Sequence, residues 1–367
     1  MNEKKMSRAG LLILLLLWGA LVLWAWLRTP QEASLSERRL LAQRPALSVE
    51  ALLSGDYMRG FEDYATDQFP LREEFRTLKA ISAFYLFRQS DNNDIYIKDG
   101  SAVKIEYPLN ENSVTSATEK LTDVYEKYLA ESGANVYLSI VPDKAYYTAA
   151  VNGYPALDYD RLIALAREGM PYAEYIDITG LLDAGDYYAT DSHWRQEQIG
   201  AVADALSEGM GLGKLEQAYE PVRTDVPFYG VYYGQAALPM EPDEIVYLTN
   251  EMLDSCTVYN VETNSTVDVY NLEKLESRDP YEVFLSGAAA ILKIENPSVQ
   301  NGRHLVVFRD SFAGSLMPLL LEKYERVTMI DTRYVMPAML GQLVDFDADD
   351  VLFLYSTSLL NSSGTLR

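Results

Sequence analysis

The chain opens with a long apolar run before a mixture of polar and apolar segments. Residues 9–27 read AGLLILLLLWGALVLWAWL and contain no charged side chain. At ~1.5 Å rise per residue, a helix of this length nearly spans the hydrocarbon core of a bilayer. Lys4, Lys5 and Arg8 precede the run, and basic flanks favour the cytoplasmic side. We therefore predict a single-pass transmembrane signal anchor at 9–27, with residues 1–8 in the cytoplasm and the C-terminal bulk outside the cell.

A cleaved signal peptide is the alternative to an anchor. The apolar run is long for a signal peptide, and the flank WAWLRTPQEAS lacks a convincing small-x-small cleavage site. Cys256 is the only cysteine, so the sequence has no lipobox cysteine, no intramolecular disulfide and no cysteine-based zinc site. We favour the uncleaved anchor and a location at the cell membrane.

Residues 28–110 are predicted to form a helical and hairpin lead-in segment. Most of this segment is polar, and its apolar residues fall at mixed i, i+3 and i+4 spacings, which is typical of short amphipathic helices. Pro45 and Pro70 interrupt these helices. Residues 95–107 alternate between apolar and polar around an Asp-Gly turn, which predicts a β-hairpin.

Residues 111–367 alternate between amphipathic helices and short apolar strands. This alternation is the pattern of an α/β domain with a mostly parallel sheet. The predicted helices are 113–132, 158–169 and 312–324, and the predicted strands are 135–141, 175–178, 304–308, 326–331 and 351–355. Residues 219–275 are rich in Tyr, Val, Thr and Gly with turn signals, which predicts an insertion of β-hairpins within this domain.

The charge balance excludes one class of partner. The chain carries 31 Lys and Arg against 54 Asp and Glu, a formal net charge of −23. Nucleic-acid binding needs clustered Lys and Arg, so no nucleic-acid partner is expected. Hydrophobic residues make up 48% of the chain, which is enough for a sizeable core.

The candidate chemistry rests on one serine and two histidines. Ser311 follows the apolar strand 304–308 and precedes a helix, which is where α/β folds place reactive groups. His304 begins that strand, so at ~3.3 Å per residue it lies roughly 20 Å from Ser311. A serine nucleophile needs an imidazole base, which leaves His193. Asp191 lies two residues before His193, where its carboxylate can accept the Nδ1 hydrogen.

Each of these residues also has a simpler role to weigh. Asp191 can cap a helix beside an incidental histidine, and Asp310 or Ser311 can cap the helix that follows. Asp191 and His193 can supply two metal ligands, but a third is missing unless His304 contributes, so no metal site is expected. The sequence has no Gly-x-Ser-x-Gly motif, so it does not carry the usual nucleophile elbow.

Four stretches of the chain together carry a family resemblance. They are the opening segment 36–75, IVPDKAYY (140–147), TDSHW (190–194) and VVFRDSFAGSLMPLLLEKYERVTMIDTRY (306–334). In combination and order they resemble the DHHW family of bacterial surface proteins and, more distantly, the AlgX/AlgJ-type alginate O-acetyltransferases. The resemblance covers nearly everything after the anchor. It implies an SGNH-hydrolase-like three-layer sandwich, in a permuted form because Asp and His precede Ser along the chain.

The resemblance implies a catalytic triad of Asp191, His193 and Ser311, the residues that the two-histidine argument also indicates. Backbone N–H groups at the start of the Phe312 helix are expected to hold an oxyanion. Lys144, in its Pro-Asp-Lys loop, is expected to face the pocket, and Asp310 is expected to lie at the substrate-binding or oxyanion site.

Two positions depart from the family pattern. Ser192 stands where the family name has histidine, while the following histidine is intact, so little effect on the chemistry is expected. Arg309 precedes Asp310 where the family has Gly or Lys. Its cation is expected either to bind a substrate carboxylate or to pack along the surface.

The predicted function is transfer or removal of an acetyl group on an extracellular polysaccharide, by an O-acetyltransferase or an O-acetylesterase that needs no cofactor. By resemblance, a membrane-bound O-acyltransferase is the expected partner that supplies the acetyl group. One alternative is a catalytically silent glycan-binding protein that uses the Tyr-rich insertion at 219–275. Another is a scaffold in an envelope assembly. The glycan, the acyl donor, the direction of transfer and the oligomeric state stay open.

Overall fold

The structure, a computed structural model, describes residues 3–367, with side chains from residue 10 onward. The chain forms two compact units. One contains the residues up to Asn93 together with Tyr233–Pro239, and the other contains Asp94–Tyr232 and Met240–Arg367.

The first unit is mainly helical. Its elements are α1 (Glu3–Leu27), β1 (Ala33–Ser34), β2 (Arg39–Leu40), α2 (Val49–Ser54), α3 (Asp56–Asp67), α4 (Arg72–Ile81) and a π-helical turn (Ser82–Leu86). Within α1, Gly10–Leu27 is long and apolar enough to cross a membrane, and none of it is buried in the protein. Among the described residues it is the only helix with this property, in agreement with the predicted N-terminal apolar helix.

The second unit contains the larger set of elements. Its strands are β3 (Ile95–Lys98), β4 (Ser101–Lys104), β5 (Asn135–Val141), β6 (Glu174–Tyr175), β7 (Glu220–Phe228), β8 (Asp243–Thr249), β9 (Thr257–Asn260), β10 (Ser265–Val267), β11 (Ile291–Glu295), β12 (His304–Arg309), β13 (Arg326–Ile330) and β14 (Asp350–Ser356). The remaining helices of the chain are α5 (Glu111–Tyr128), α6 (Lys144–Thr148), α7 (Tyr159–Gly169), α8 (Gly200–Gly209), α9 (Val231–Ala236), α10 (Glu251–Ser255), α11 (Ala313–Leu320), α12 (Leu340–Leu343) and α13 (Thr357–Asn361).

An eight-stranded sheet forms the frame of the second unit. Its strand order is β10-β9-β11-β13-β12-β14-β5-β6. The five strands from β13 to β6 run parallel, and β11, β9 and β10 extend the sheet in antiparallel fashion. The predicted α/β fold with a mostly parallel sheet is confirmed.

Helices cover both faces of this sheet because side chains of its central strands alternate between two cores. Val307 of β12 packs in a cluster with α8 and α11, whereas Phe308 packs in a second cluster with α5 and α7. β14 divides in the same way, with Leu352 in the first cluster and Phe353 in the second. This alternation follows from the two-residue period of a strand. It produces the three-layer sandwich that the resemblance implied.

The predicted hairpins are present, and the structure shows how each is used. The Asp-Gly turn between β3 and β4 has positive φ at both residues, as a tight hairpin turn requires. The β-rich region 219–275 divides into two hairpins. β7 and β8 form a separate two-stranded sheet, whereas β9 and β10 join the main sheet through β11. The sequence did not single out β11, which is the strand that makes this connection.

Removal of one central ring tests this core. Phe308 is fully buried, and its ring stacks on that of Phe353 at 4.8 Å between centroids. We expect Phe308→Ala to lower the free energy of unfolding by about 3–5 kcal/mol, since it removes buried area and leaves a cavity. Urea unfolding of the detergent-solubilised full chain measures this change. Leu272→Ala, at a position that is 52% exposed, is the control and should stay within about 0.5 kcal/mol of the parent chain. Equal losses in both variants would contradict the assignment of Phe308 to the core.

Candidate active site

Ser311 lies in the turn between the central strand β12 and helix α11. Parallel neighbours flank β12 on both sides, so this turn sits at the carboxyl end of the sheet. The buried Asp310 carboxylate fastens the turn, because it accepts the backbone N–H of Phe312 at 3.0 Å and that of Ser356 at 2.8 Å. Asp310 therefore ties the serine turn to the end of β14.

Asp191 and His193 lie in a short loop closed by an isolated bridge between Tyr187 and Trp194. Trp194 is fully buried, and its indole N–H donates to Ser315 Oγ of α11 at 2.9 Å. This hydrogen bond between two buried side chains holds the loop against α11, the helix that follows Ser311. The positions of Asp191 and His193 relative to α11 are therefore fixed.

The structure brings the three predicted residues into one chain of hydrogen bonds. His193 Nδ1 lies 2.6 Å from Asp191 Oδ1, and His193 Nε2 lies 2.7 Å from Ser311 Oγ. An ionised carboxylate only accepts, so the Nδ1 hydrogen points to Asp191 and Nε2 presents its lone pair to the serine. His193 and Ser311 are 118 residues apart in sequence.

Further contacts fix the orientation of the imidazole and the carboxylate. Asp191 is fully buried and also accepts the backbone N–H groups of His193 at 3.0 Å and of Val231 at 2.8 Å. The ring of Tyr281 stacks on the imidazole with centroids 4.0 Å apart and planes 13° apart. The Tyr281 hydroxyl pairs with Ser315 Oγ at 2.9 Å, so α11 positions this ring too. Sequence reasoning did not identify Tyr281, since no local motif marks it.

The β7–β8 hairpin supplies two residues that sequence reasoning also missed. The Asp243 carboxylate at the start of β8 accepts the N–H groups of Ala189 and Thr190 and the Thr190 hydroxyl, all at 2.6–2.7 Å. Gly230 follows β7 and donates its N–H to Thr190 Oγ1 at 2.8 Å. A Cβ at Gly230 would lie 2.3 Å from Asp191 Cβ and 2.3 Å from the Thr190 carbonyl oxygen, so only glycine allows this approach.

Lys144 lies behind the loop that carries Asp191 and His193, and no hydrogen bond joins it to Ser311. Its ammonium donates to the carbonyl oxygens of Tyr188 at 2.6 Å and Ala102 at 2.7 Å, and to Ser101 Oγ at 3.1 Å. Burial lowers the pKa of Lys144 to about 7, while the charges of Asp191 and Asp243 act in the opposite direction. The structure therefore gives the lysine the role of a support for the loop that leads into Asp191.

Arg309 follows neither of its two expected roles. Its side chain is 3% exposed and lies 3.8 Å from the Asp331 carboxylate, with the guanidinium directed at the carbonyl oxygens of Gly287 and Ala289. It is inside the protein because β12 is covered on both faces, which rules out packing along the surface. Its burial also removes the free, exposed cation that would bind a substrate carboxylate.

The predicted oxyanion donor at Phe312 is also corrected. The Phe312 N–H already donates to Asp310, so it is not available to a developing oxyanion. The Ser311 N–H, by contrast, has no hydrogen-bond acceptor among the described residues. It belongs to the same residue as the candidate nucleophile, so it replaces the Phe312 N–H as the candidate oxyanion donor.

The second histidine lies at the other end of β12, as the strand length predicts. His304 is buried, with Nδ1 2.9 Å from the Asp347 carbonyl oxygen and Nε2 2.9 Å from Thr328 Oγ1. Burial lowers its pKa. Among the residues with described side chains, no three His, Cys, Asp or Glu form a group that could hold a metal ion.

Comparison with known proteins supports the sequence resemblance. A family model described as DHHW protein matches residues 182–330, a stretch that contains Asp191, His193 and Ser311. The predicted resemblance to the DHHW family is confirmed. No curated protein matches the sequence.

Two solved structures share the fold at low sequence identity, and a third shows a weaker likeness. A DHHW family protein from Eubacterium siraeum DSM 15702 is 21% identical at a TM-score of 0.60, with 76% of this chain and 97% of that chain covered. Bacillus cereus PatB1 with a sulfonyl adduct is 18% identical at a TM-score of 0.57, with 72% and 95% covered. The O-acetyltransferase domain of Pseudomonas putida AlgJ is 15% identical at a TM-score of 0.45, with 73% and 92% covered.

The close approach at Gly230 can be tested by one added carbon. Gly230→Ala places a methyl group against Asp191 and Thr190, so we expect a loss of about 1–3 kcal/mol in the free energy of unfolding. Gly180→Ala is the matched control, since a Cβ there meets nothing within 4 Å and the backbone is not left-handed. Urea unfolding of both variants compares the two. Equal stability would show that the β7–β8 hairpin does not lie against the loop as described.

The buried lysine predicts a pH dependence of stability. The pKa of Lys144 is about 7 in the folded chain and near ~10.4 in the unfolded chain. Between these values the unfolded chain binds more protons, so the free energy of unfolding rises with pH, by at most about 1.4 kcal/mol per pH unit from this group.

Lys144→Met lacks this titration and serves as the reference. Subtracting its unfolding free energy from that of the parent chain removes the contribution of all other groups. We expect the difference to grow in favour of the parent chain from about pH 7 to pH 10. A difference that is constant over this range would contradict a lysine with a lowered pKa.

Proposed function

We propose that this protein is a membrane-anchored extracellular enzyme that transfers acyl groups through Ser311, His193 and Asp191. Its reaction is O-acetyl transfer or O-acetyl ester hydrolysis on a cell-surface polysaccharide. The observation that carries the proposal is the chain of hydrogen bonds at 2.6 and 2.7 Å from Asp191 through His193 to Ser311. The apolar helix Gly10–Leu27 supports the anchor, and the resemblance to the DHHW family supports a surface location.

The first half of the reaction acylates the enzyme. His193 Nε2 takes the Ser311 proton as Ser311 Oγ attacks the carbonyl carbon of an acyl donor. The resulting imidazolium keeps its Nδ1 hydrogen on Asp191, whose charge stabilises it. The tetrahedral intermediate collapses when His193 returns the proton to the leaving group, and an acyl ester remains on Ser311.

The oxyanion needs donors that face the tetrahedral intermediate. We assign the Ser311 N–H to this role, because the Phe312 N–H is occupied by Asp310. Asp310 then acts indirectly. By tying the turn to Ser356 it keeps the serine N–H and Oγ at one end of the sheet.

The second half of the reaction releases the acyl group. His193 takes a proton from an acceptor hydroxyl, which attacks the acyl ester and leaves Ser311 with its proton restored. A sugar hydroxyl as acceptor gives an O-acetyltransferase, and water gives an esterase. The His193 side chain is only 12% exposed, which favours an acceptor that fits a narrow opening. A membrane-bound O-acyltransferase remains the proposed source of acetyl groups.

Aryl-acetate hydrolysis tests this proposal directly. In the detergent-solubilised full chain, we expect Ser311→Ala and His193→Ala each to lower the rate by at least ~10³-fold, because each removes a member of one catalytic unit. Ser192→Ala is the control. Its hydroxyl lies beside the site, and its 3.5 Å contact with Asp191 Oδ1 is too long for a strong hydrogen bond. We therefore expect most of the activity to remain.

The pattern of the three variants separates the enzyme from its alternative. Loss in Ser311→Ala and His193→Ala with retention in Ser192→Ala supports the triad. Equal rates in all variants, with no acyl-enzyme detected by mass spectrometry, would contradict it. In that case a catalytically silent glycan-binding protein would become the better explanation.

A further inference from the structure

The first compact unit exposes many large apolar side chains. Fourteen are exposed between Arg28 and Asn93, against nine in the whole second unit, counting the residues that the structure describes. Single exposed apolar residues need no explanation, but large groups of them mark surfaces that contact a partner or a membrane. The first unit is therefore the part of the chain with an uncovered apolar surface.

The densest group lies along α4 and the π-helical turn that extends it. Its members are Phe75, Leu78, Ile81, Tyr85 and Leu86, which are 38–77% exposed. Steps of three and four residues place the first four along one side of the helix, and Leu86 lies next to Tyr85 in the π-helical turn, while Ala80 and Ala83 are buried. We call these five residues the α4 face. Glu74 also lies on this side, and its carboxylate suits headgroup depth better than the acyl region.

Hydrogen bonds hold the start of α4 near the outer end of α1. Gln31 is four residues beyond Leu27, the last residue of α1. Its N–H donates to Gln68 Oε1 at 2.9 Å, and Gln68 Nε2 donates to the Gln31 carbonyl at 2.8 Å. Gln68 in turn is four residues before Arg72, where α4 begins. Phe69, three residues before α4, also lines a groove with the last two turns of α1, so α4 starts within roughly 11 Å along the chain of a residue that borders the predicted membrane span.

The last two turns of α1 also line a groove with α3. Leu21, Val22, Ala25 and Trp26 face Phe61, Tyr64 and Phe69 across it. The Arg44 guanidinium lies 5.5 Å from the centre of the Trp26 ring. Aromatic and basic residues of this kind are typical of the membrane–water interface. The groove places α3 beside the outer end of α1, as expected for a unit at the bilayer surface.

The charge of this region differs from that of the rest of the chain. Residues 28–93 carry nine Lys and Arg against ten Asp and Glu, whereas residues 94–367 carry 19 against 43. Anionic headgroups repel a strongly acidic surface within a Debye length. A nearly neutral segment with exposed apolar side chains can approach them closely.

We propose that the α4 face docks on the outer surface of the lipid bilayer, with its apolar side chains at headgroup depth. This inference rests on the membrane anchor of the proposed function. The bilayer then covers the apolar surface, and the first unit lies against the membrane. Docking limits how far the first unit can tilt relative to the membrane, whereas a flexible tether alone would let it tilt freely.

Nitroxide accessibility in vesicles tests the docking. The full chain carrying Cys256→Ser is reconstituted in vesicles of phosphatidylcholine and phosphatidylglycerol, with single labels at Leu14→Cys, Leu78→Cys or Val151→Cys. Leu14 lies in the predicted span, Leu78 in the α4 face, and Val151 is 81% exposed in the second unit. Oxygen concentrates in lipid and a nickel chelate in water, so the ratio of the two accessibilities reports depth. We expect the Leu78 ratio to lie between those of Leu14 and Val151 and well above that of Val151, as headgroup depth requires.

The three labels separate failure of the docking from failure of the anchor. A lipid-like ratio at Leu14 with a water-like ratio at Leu78 would overturn the docking and leave the anchor intact. Water-like ratios at both would overturn the anchor and the docking together. Loss of the lipid-like ratio in Leu78→Cys when Phe75 and Leu86 are changed to Ser would support the α4 face as the contact. An unchanged ratio in that variant would overturn the assignment to this face.

Discussion

The Asp191 carboxylate is fully buried and takes three N–H donors, two from His193 and one from Val231. A buried carboxylate without partners is costly, so the surrounding backbone must supply these donors together. Once they are in place, the imidazole has one orientation, with Nε2 directed at Ser311. The geometry of the candidate triad therefore depends on one buried carboxylate and the backbone that satisfies it.

Two further acids hold the elements that meet at this point. Asp310 ties the serine turn to β14, and Asp243 ties the loop of Asp191 and His193 to the β7–β8 hairpin. Both carboxylates accept backbone N–H groups, so each fixes a short segment of main chain. Lys144 adds a cation behind the loop, where it binds carbonyl oxygens and offsets the charges of Asp191 and Asp243. In this strongly acidic chain, buried carboxylates thus hold turns in place by accepting their backbone N–H groups.

The local sequence pattern was enough to predict elements that are uniformly buried or that are set by a single turn. β5 was predicted residue for residue, because a buried parallel strand reads as one apolar run bounded by turn residues. The β3–β4 hairpin followed from its Asp-Gly turn. β11 was not predicted, and the join of β9 and β10 to the main sheet could not be, since both depend on pairing with strands distant in sequence. The helix after Ser311 is shorter than predicted, because it tightens into a 3₁₀ turn at Leu321.

The sequence by itself determined the apolar N-terminal helix, the α/β class and the three residues of the candidate triad, since each depends on local spacing or on having only two histidines. Tertiary structure alone decided the roles of Tyr281, Asp243 and Gly230, and it moved Lys144 and Arg309 into supporting positions. These contacts join segments tens of residues apart, and no periodicity in the chain encodes them. A side chain's burial and partners depend on the path of the whole chain, and that path exists only in the folded molecule.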